Sequence, residues 1–144
     1  MSETISIAAP NGADLDVIHA VLAETYWSPG VPRDVIARAC ANSLCAIARD
    51  GQGALAGFAR LVTDRATFAW LCDVFVLPEH TGQGIARRLV SAFRAHPDLQ
   101  GLRRWLLATR DAHGVYAPLG FGALDAPDRW MEIANPAPYG VARS

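Results

Sequence analysis

The first part of the chain combines one strand pattern with two helix patterns. Ile5 and Ile7 alternate with polar or small residues, which predicts a short strand. Apolar residues then recur at helical spacing, at Leu15, Ile18, Leu22 and Tyr26, which predicts the apolar stripe of a helix. Asn11 or Asp14 is expected to cap this helix, and the helix-breaking residues 28–30 are expected to end it. A second helix is predicted from Pro32, with Val35, Ile36 and Ala39 facing inward.

Three strand patterns follow, separated by turn residues. They cover Leu44–Arg49, residues 54–62 and residues 67–77. Asp50-Gly51 marks a hairpin turn between the first two strands. Connections this short join antiparallel strands, so the three strands are expected to form a meander.

The period changes after Pro78. Apolar residues at i, i+4 and i+8 predict an amphipathic helix that ends before His96-Pro97, with Ile85, Leu89 and Phe93 on its buried face. A buried strand at residues 102–108, a short helix over residues 111–119 and two weaker strands at residues 121–124 and 129–133 complete the pattern. The order β-α-α-β-β-β-α-β-α-β-β predicts an α/β fold with a single mixed, mostly antiparallel central sheet flanked by helices. A parallel pair is expected only at the strand–helix–strand step across residues 67–108.

Length and composition agree with one domain over residues 1–144. Hydrophobic residues make up 51% and charged residues 19%, which excludes intrinsic disorder. A net charge of −1 supplies no field for nucleic acid or an anionic membrane, so neither is an expected partner. The apolar runs are too short for a transmembrane helix and no signal-peptide pattern is visible, so a cytoplasmic protein is expected. Three cysteines without metal-ligand spacing predict no metal site.

The most informative segment runs from a strand through a proline into a glycine-rich turn and a helix: Val76-Leu77-Pro78-Glu79-His80-Thr81-Gly82-Gln83-Gly84-Ile85. Glycines allow close approach of a ligand, and the first N–H groups of the helix can bind phosphate. The plain alternative is a tight turn into a helix. Two common phosphate motifs are excluded, because no Gly-Lys-Ser/Thr follows and because Arg87 stands where a dinucleotide fingerprint needs its third glycine.

With these residues the chain resembles the GCN5-related N-acetyltransferase (GNAT) superfamily over essentially its whole length. The central motif of that family is matched by Val76-Leu77-Pro78 followed by Thr81-Gly82-Gln83-Gly84-Ile85-Ala86. A second family signature, a tyrosine followed by Gly-Phe, is matched by Tyr116 and Gly120-Phe121. The resemblance implies an acyl-CoA N-acyltransferase-like fold and transfer of an acetyl group from acetyl-CoA to an amine by direct attack.

The resemblance also implies where acetyl-CoA binds. The family holds the pantetheine arm on the edge of a splayed strand and the pyrophosphate on the N–H groups of the loop. Here the residues are Val74, Phe75, Val76, Thr81, Gly82, Gln83, Gly84, Ile85, Ala86 and Arg87. The neighbour across the splay should be the strand at residues 102–109. Thr81 departs from the arginine or glutamine usual in the family, which should weaken the site; Arg87 and Arg88 could replace the charge or simply form a solvated face.

Two residues are candidates for the chemistry. Tyr116 is implied as the proton donor to the leaving thiolate, since a phenol with a pKa of about 10 stays protonated at neutral pH. Asp73 lies within an apolar strand, where a carboxylate needs a partner; it is a general base, a binder of the substrate ammonium, or a structural residue paired with an arginine. His113, one turn before Tyr116, could assist it or serve only in packing. His80 is expected to be exposed. The oxyanion donor is expected among the backbone N–H groups of residues 74–77.

The acceptor is the least defined part of this interpretation. By analogy with the family, Glu24, Tyr26, Trp27 and residues 28–32 form a candidate lid over it. The weak surface field favours a small primary amine over a protein substrate. A non-catalytic acyl-CoA-binding sensor or partner module of the same fold is the main alternative, and Thr81 is the feature in its favour. Family members often dimerise through their late strands, which makes a homodimer one expectation.

Overall fold

The computed structural model describes residues 3–142, and its regular elements follow the predicted order as far as Tyr116. The strands are β1 (Thr4–Ile7), β2 (Leu44–Arg49), β3 (Leu55–Thr63), β4 (Phe68–Val76) and β5 (Arg104–Leu107). The α-helices are α1 (Gly12–Leu22), α2 (Arg33–Ala41), α3 (Ile85–Arg94) and the single turn α4 (His113–Tyr116). Short 3-10 turns lie at Pro78–His80, Pro97–Leu99, Ala117–Leu119 and Pro127–Arg129.

The five strands form one sheet in the order β1-β2-β3-β4-β5. Strands β1 to β4 pair antiparallel in succession, as their short connections require. Strand β5 pairs parallel with β4 after the crossover through α3. The predicted mixed, mostly antiparallel sheet flanked by helices is therefore confirmed.

Helices cover both faces of the sheet, because alternate residues of its central strands point to opposite sides. On β2, Ala46 and Ala48 pack in the cluster that contains α3, whereas Cys45 and Ile47 pack with α1 and α2. The apolar face of α3 is buried as its spacing predicts, with Ile85, Leu89, Val90 and Phe93 all inside. The start of α1 uses both predicted capping residues, since Asn11 is the N-cap and Asp14 completes a capping box.

Gly57 allows α3 to pack closely on β3. A Cβ atom at this position would lie 2.9 Å from Cγ2 of Ile85 and 3.2 Å from the carbonyl oxygen of Phe75. Because real Cβ atoms do not approach other atoms this closely, a larger residue would push the helix outward. Gly57 pairs with Val76 on β4, so this contact seats the first turn of α3 beside the end of that strand.

The two predicted late strands are absent from the described residues, and that prediction is wrong for the single chain. After Gly120 the chain is irregular apart from the turn at Pro127–Arg129. Alternation of apolar and polar residues describes the two faces of a strand, but a strand also needs a neighbour for its backbone groups. Met131 and Ile133 consequently stand almost fully in solvent. No helix within residues 3–142 has both the length and the apolar character to cross a membrane.

Candidate active site

A wedge opens between β4 and β5 halfway along β4. Pairing with β5 reaches only as far as Leu71 and Leu107, whereas pairing with β3 continues to Val76. Residues 72–76 therefore have one edge without a strand partner in the described part of the chain. The N–H and C=O groups on that edge are available to a ligand that lies along it like an added strand.

A β-bulge at Asp73 marks the beginning of the wedge. Arg60 pairs with Cys72 and Phe58 with Phe75, so a single residue of β3 lies opposite two residues of β4. Asp73 has a φ of 54°, in the left-handed region that residues other than glycine rarely adopt. The bulge bends β4 where β5 leaves it. The splayed strand implied by the family resemblance is present.

The carboxylate of Asp73 is held by two side chains. Its Oδ1 accepts a hydrogen bond from Nε1 of Trp27 at 2.9 Å, and its Oδ2 accepts one from Nε of Arg60 at 2.8 Å. The side chains of this ion pair are only 14% and 18% exposed for Asp73 and Arg60. Asp73 therefore pairs with an arginine, as expected if its role is structural. Its bond to Trp27 also ties the segment between α1 and α2 to the bulge.

Residues 74–76 face the wedge with their main chain, since their side chains point into the two apolar clusters on either side of the sheet. Phe75 is buried beneath α1 and α2, and Val74 and Val76 pack against the cluster around α3. The N–H of Leu77 donates to the carbonyl of Ala56 at 2.9 Å. Leu77 therefore cannot be the oxyanion donor. Hydrogen-bonded pairs alternate along antiparallel strands, so Phe75, opposite Phe58, also directs its N–H toward β3. Val74 and Val76 are left as the candidate N–H donors from the predicted set.

The glycine loop leads directly into an α3 terminus that no side chain caps within the described residues. Gly82 and Gly84 have φ values of 82° and 71°. A Cβ atom at either position would meet no described atom within 4 Å, so the space above the loop is open. Free N–H groups at the start of a helix, combined with its dipole, form an anion site. Thr81 lies at the edge of this space, with its hydroxyl donating to the carbonyl of Pro78 at 3.0 Å.

Glu3 anchors the loop from below and was not foreseen from the sequence. Its side chain is 4% exposed and lies 3.0 Å from Nδ1 of His80 and 3.7 Å from Nη1 of Arg88. With its amide oriented by hydrogen bonding, Gln83 donates to both carboxylate oxygens, at 2.8 and 3.0 Å. A bond from its own backbone N–H, together with His80 and Arg88, lowers the pKa of Glu3.

This anchor changes the expected roles of three predicted residues. His80 is mostly buried against Glu3, so the expectation that it is exposed is wrong. Arg88 is bound to Glu3, with Nη2 donating to the Glu3 carbonyl at 2.6 Å. Arg87 is exposed and makes no ion pair within residues 3–142, so it is the basic residue of this turn that remains available to an anion. In the sequence, Glu3 is only an acidic residue near the N-terminus, and no motif connects it with the glycine loop.

Tyr116 lies in α4 beside the far strand of the wedge. The residue is 9% exposed, and its ring contacts that of Phe121 edge to face, with ring centres 6.1 Å apart. Burial, and secondarily the proximity of Tyr26, raises the pKa of Tyr116, so the phenol keeps its proton at neutral pH. Tyr116 and His113 both line a cleft of about 1040 Å³ along β5, with His113 exposed.

Aromatic residues of the predicted lid connect the two sides of the wedge. The hydroxyl of Tyr26 accepts a hydrogen bond from the backbone N–H of Arg110 at 2.9 Å, and the Arg110 guanidinium lies 3.9 Å from the centre of its ring. Tyr26 also contacts Trp27 edge to face at 5.0 Å. Trp27 in turn reaches Asp73 on β4. Glu24, by contrast, is exposed.

The described residues contain no group of three or more His, Cys, Asp or Glu side chains placed to hold a metal ion. The acyl-CoA features do suit this chain: an unpaired strand edge and an uncapped helix N-terminus lie at the same end of β4. Backbone donors at these two places match the amides of pantetheine and the phosphates of coenzyme A in chemical type.

Comparison with known proteins agrees with this geometry. The sequence matches the acetyltransferase (GNAT) family over residues 15–121. A candidate GNAT-family acetyltransferase of Xanthomonas campestris is 43% identical, with a TM-score of 0.89 and coverage of 98% of this chain and 100% of the other. A candidate acetyltransferase of Gibberella zeae is 31% identical over 67% of this chain, which spans 66% of that protein. A GNAT-family protein of Streptococcus pneumoniae, 23% identical with a TM-score of 0.70 over 92% and 97% of the two chains, shares the fold.

Proposed function

The chain belongs to the acetyltransferase (GNAT) family, and from that membership we propose that it transfers the acetyl group of acetyl-CoA to a primary amine of a small molecule. The observation that carries the proposal is the wedge at residues 72–76, which ends at the uncapped N-terminus of α3. One elongated ligand with amide groups at one end and phosphates at the other fits this arrangement of donors. Residues 1–144 are proposed to act as one domain in the cytoplasm.

The cofactor-binding role is proposed for the loop and the strand edge together. The N–H groups of the loop and of the first turn of α3 bind the pyrophosphate, and Arg87 adds a positive charge. The main chain at residues 74–76 binds the pantetheine arm and supplies the donor for the thioester carbonyl. The participating residues are Val74, Phe75, Val76, Thr81, Gly82, Gln83, Gly84, Ile85, Ala86 and Arg87.

The proposed reaction is a direct attack of the neutral amine on the thioester. The N–C bond forms, the C–S bond breaks, and Tyr116 gives its phenolic proton to the leaving sulfur. The nitrogen loses its surplus proton to water or to Asp73. Each oxygen of Asp73 already accepts one hydrogen bond, so the amine would meet a remaining lone pair. The thiols of Cys40, Cys45 and Cys72 take no part in this route.

The first experiment is calorimetric titration of the purified protein with acetyl-CoA. Gly84→Glu places a carboxylate in the anion site and should abolish binding. Gly101→Glu is the matched control, because Gly101 also has a positive φ, of 75°, and open space around it but lies in the turn before β5. Absence of wild-type binding, or equal binding by the Gly84→Glu variant, contradicts the proposed site.

A second measurement separates the enzyme from the binding module. Thiol release is followed with a panel of small primary amines, using the wild type and Tyr116→Phe. Turnover that Tyr116→Phe reduces while acetyl-CoA binding stays unchanged supports the transferase. Tight binding without release of thiol for any amine favours the acyl-CoA sensor or partner module, for which Thr81 remains the sequence feature.

A further inference from the structure

Three arginines without carboxylate partners line the cleft of about 1040 Å³ along β5. They are Arg94 at the end of α3, Arg104 at the start of β5, and Arg129 in the last 3-10 turn. Within residues 3–142 none of their guanidinium groups forms an ion pair, whereas many other arginines do: Arg33, Arg49, Arg60, Arg65, Arg88 and Arg110. The cleft therefore holds positive charge that the described part of the chain does not neutralise.

Two of these arginines are held in place by tryptophans. Cζ of Arg94 lies 4.8 Å from the ring centre of Trp105, and Cζ of Arg104 lies 4.8 Å from that of Trp130. A guanidinium already stacked on a ring loses little further side-chain freedom on binding, and its planar N–H groups match a carboxylate or a phosphate. This end of the cleft is therefore suited to an oxyanion.

Acidic side chains do not cancel the charge of the cleft. Among the described residues, Asp125 is the one carboxylate in its lining; it is exposed and makes no ion pair there. The net charge of the whole chain is −1, so the surplus of positive charge is a local property of this cleft. A local field of this kind favours an anionic ligand.

The rest of the cleft leads toward the proposed reacting groups. Its lining continues from Leu107 to Thr109, past the last pairing of β4 with β5, where the wedge opens. Leu119 and Phe121 make this part apolar, and Tyr116 lines it. Since an extended chain rises about 3.3 Å per residue, Arg104 and Thr109 are separated by about 16 Å. A ligand that reaches from the arginines to Tyr116 needs an apolar body between two polar ends.

We propose that the acceptor is a primary amine that carries an oxyanion, a carboxylate or a phosphate, at the far end of an apolar chain. Arg94 and Arg104 bind the oxyanion and determine specificity, while the amine is presented to the thioester beside Tyr116. An α-amino acid, whose amine and carboxylate share one carbon, is too short to use both ends. The identity of this ligand as the acceptor rests on the proposed function, whereas oxyanion binding does not.

Matched acceptors with a terminal amine test the arginine end by kinetics. Aminohexanoate and aminohexyl phosphate carry an oxyanion at the end of the chain, where aminohexanol carries a neutral hydroxyl. With saturating acetyl-CoA, thiol release by the wild type should show a kcat/KM about 10-fold or more higher for at least one anion than for the alcohol. The gain should lie mainly in KM, because the oxyanion binds and takes no part in the chemistry. The better of the two anions distinguishes a carboxylate from a phosphate.

The variant and its control remove the same charge from different places. In the double variant Arg94→Gln and Arg104→Gln, the preference for the anion over the alcohol should fall to about one. The control, Arg33→Gln with Arg38→Gln, removes two exposed positive charges from α2 and should keep the wild-type preference. Equal preference in the wild type and in the Arg94 and Arg104 variant overturns the proposal, as does loss of the preference in the control.

Nuclear magnetic resonance of the indole N–H groups supplies a readout that needs no turnover. Titration with each anion should shift the signals of Trp105 and Trp130 until they saturate, in the wild type and the control but not in the Arg94 and Arg104 variant. Saturable shifts without turnover of any amine support the oxyanion site and contradict the proposed acetyl transfer. Turnover without such shifts, and without preference for the anions, overturns the oxyanion site and leaves the acetyl transfer standing.

Discussion

The ion pair between Asp73 and Arg60 is expected to be a principal determinant of the stability of the bulge. Removing one partner from a buried pair costs about 3–5 kcal/mol, because the other charge is left without compensation. These side chains are 14% and 18% exposed, so water recovers part of that cost, while the bond from Trp27 adds about 1 kcal/mol. We expect Asp73→Asn to lower the free energy of unfolding by about 2–4 kcal/mol.

Urea unfolding followed by circular dichroism measures this change, and a double-mutant cycle attributes it to the pair. Arg60→Met alone should cost a similar amount, since it leaves the Asp73 carboxylate unpaired. The double variant Arg60→Met with Asp73→Asn should cost less than the sum of the two single variants, with a coupling energy of about 2 kcal/mol.

An exposed ion pair in the same protein serves as the control. Arg33 and Asp16 lie 2.7 Å apart but are 42% and 70% exposed. Asp16→Asn should therefore change stability by no more than about 1 kcal/mol. If Asp73→Asn were as stable as Asp16→Asn, or if the double variant were fully additive, the ion pair would not hold the bulge as the reasoning requires.

Three further predictions concern other parts of the site. Gly57→Ala should lower the free energy of unfolding in urea by about 1–3 kcal/mol, because the new Cβ meets Ile85 at 2.9 Å. The control Gly114→Ala adds a Cβ in open space and should not destabilise the protein. Glu3→Ala should weaken acetyl-CoA binding about 10-fold in calorimetry by releasing the loop, with Glu3→Gln in between. The pKa of Glu3 is lowered in the folded state, so ionised Glu3 should stabilise the protein fully at a pH above 4.5, the ordinary pKa of glutamate. This stabilisation should be lost as the pH falls further and the carboxylate is protonated. The Glu3→Gln variant should not show that loss. Tyr116→Phe should reduce kcat about 100-fold or more without changing the affinity for acetyl-CoA. Because the pKa of Tyr116 is raised, the wild-type activity that needs the protonated phenol should persist to above pH 10.

One chain of contacts links the candidate acceptor side to the sheet. Trp27 bonds to Asp73 at the bulge, and its neighbour Tyr26 bonds to Arg110 beyond β5. The connection between α1 and α2 is thus fastened to β4 and to the segment that follows β5. The geometry of the wedge therefore depends on these aromatic residues as well as on the sheet.

Local patterns sufficed to predict most elements. The alternation of apolar residues gives β2 its observed bounds, Leu44–Arg49. The helical spacing of Ile85, Leu89 and Phe93 predicts a helix that ends before His96, and α3 covers Ile85–Arg94. Gly82 and Gly84 predict the turn into α3, because glycine adopts the positive φ angles found there more readily than other residues do. Parallel pairing of β4 and β5 follows from the length of the crossover between them. These features depend on residues close together in the chain.

The late strands show where local pattern stops being sufficient. Residues 129–133 alternate as a strand does, yet in the single chain no edge pairs with them, and their backbone stays irregular. Alternation reports which side chains would share a face, whereas strand formation depends on a partner that lies elsewhere.

The sequence by itself determined the order of the elements, the open phosphate-type loop and the resemblance on which the function rests, because each is encoded by neighbouring residues. Tertiary structure alone decided that Asp73 faces Arg60 and Trp27, that Glu3 captures His80 and Arg88, and that Leu77 loses its N–H to β3. The partners in these contacts are separated by 13 to 85 positions in the chain. A carboxylate shows in the sequence only that it needs a partner; which group meets that need is set by how the sheet and helices bring distant residues together.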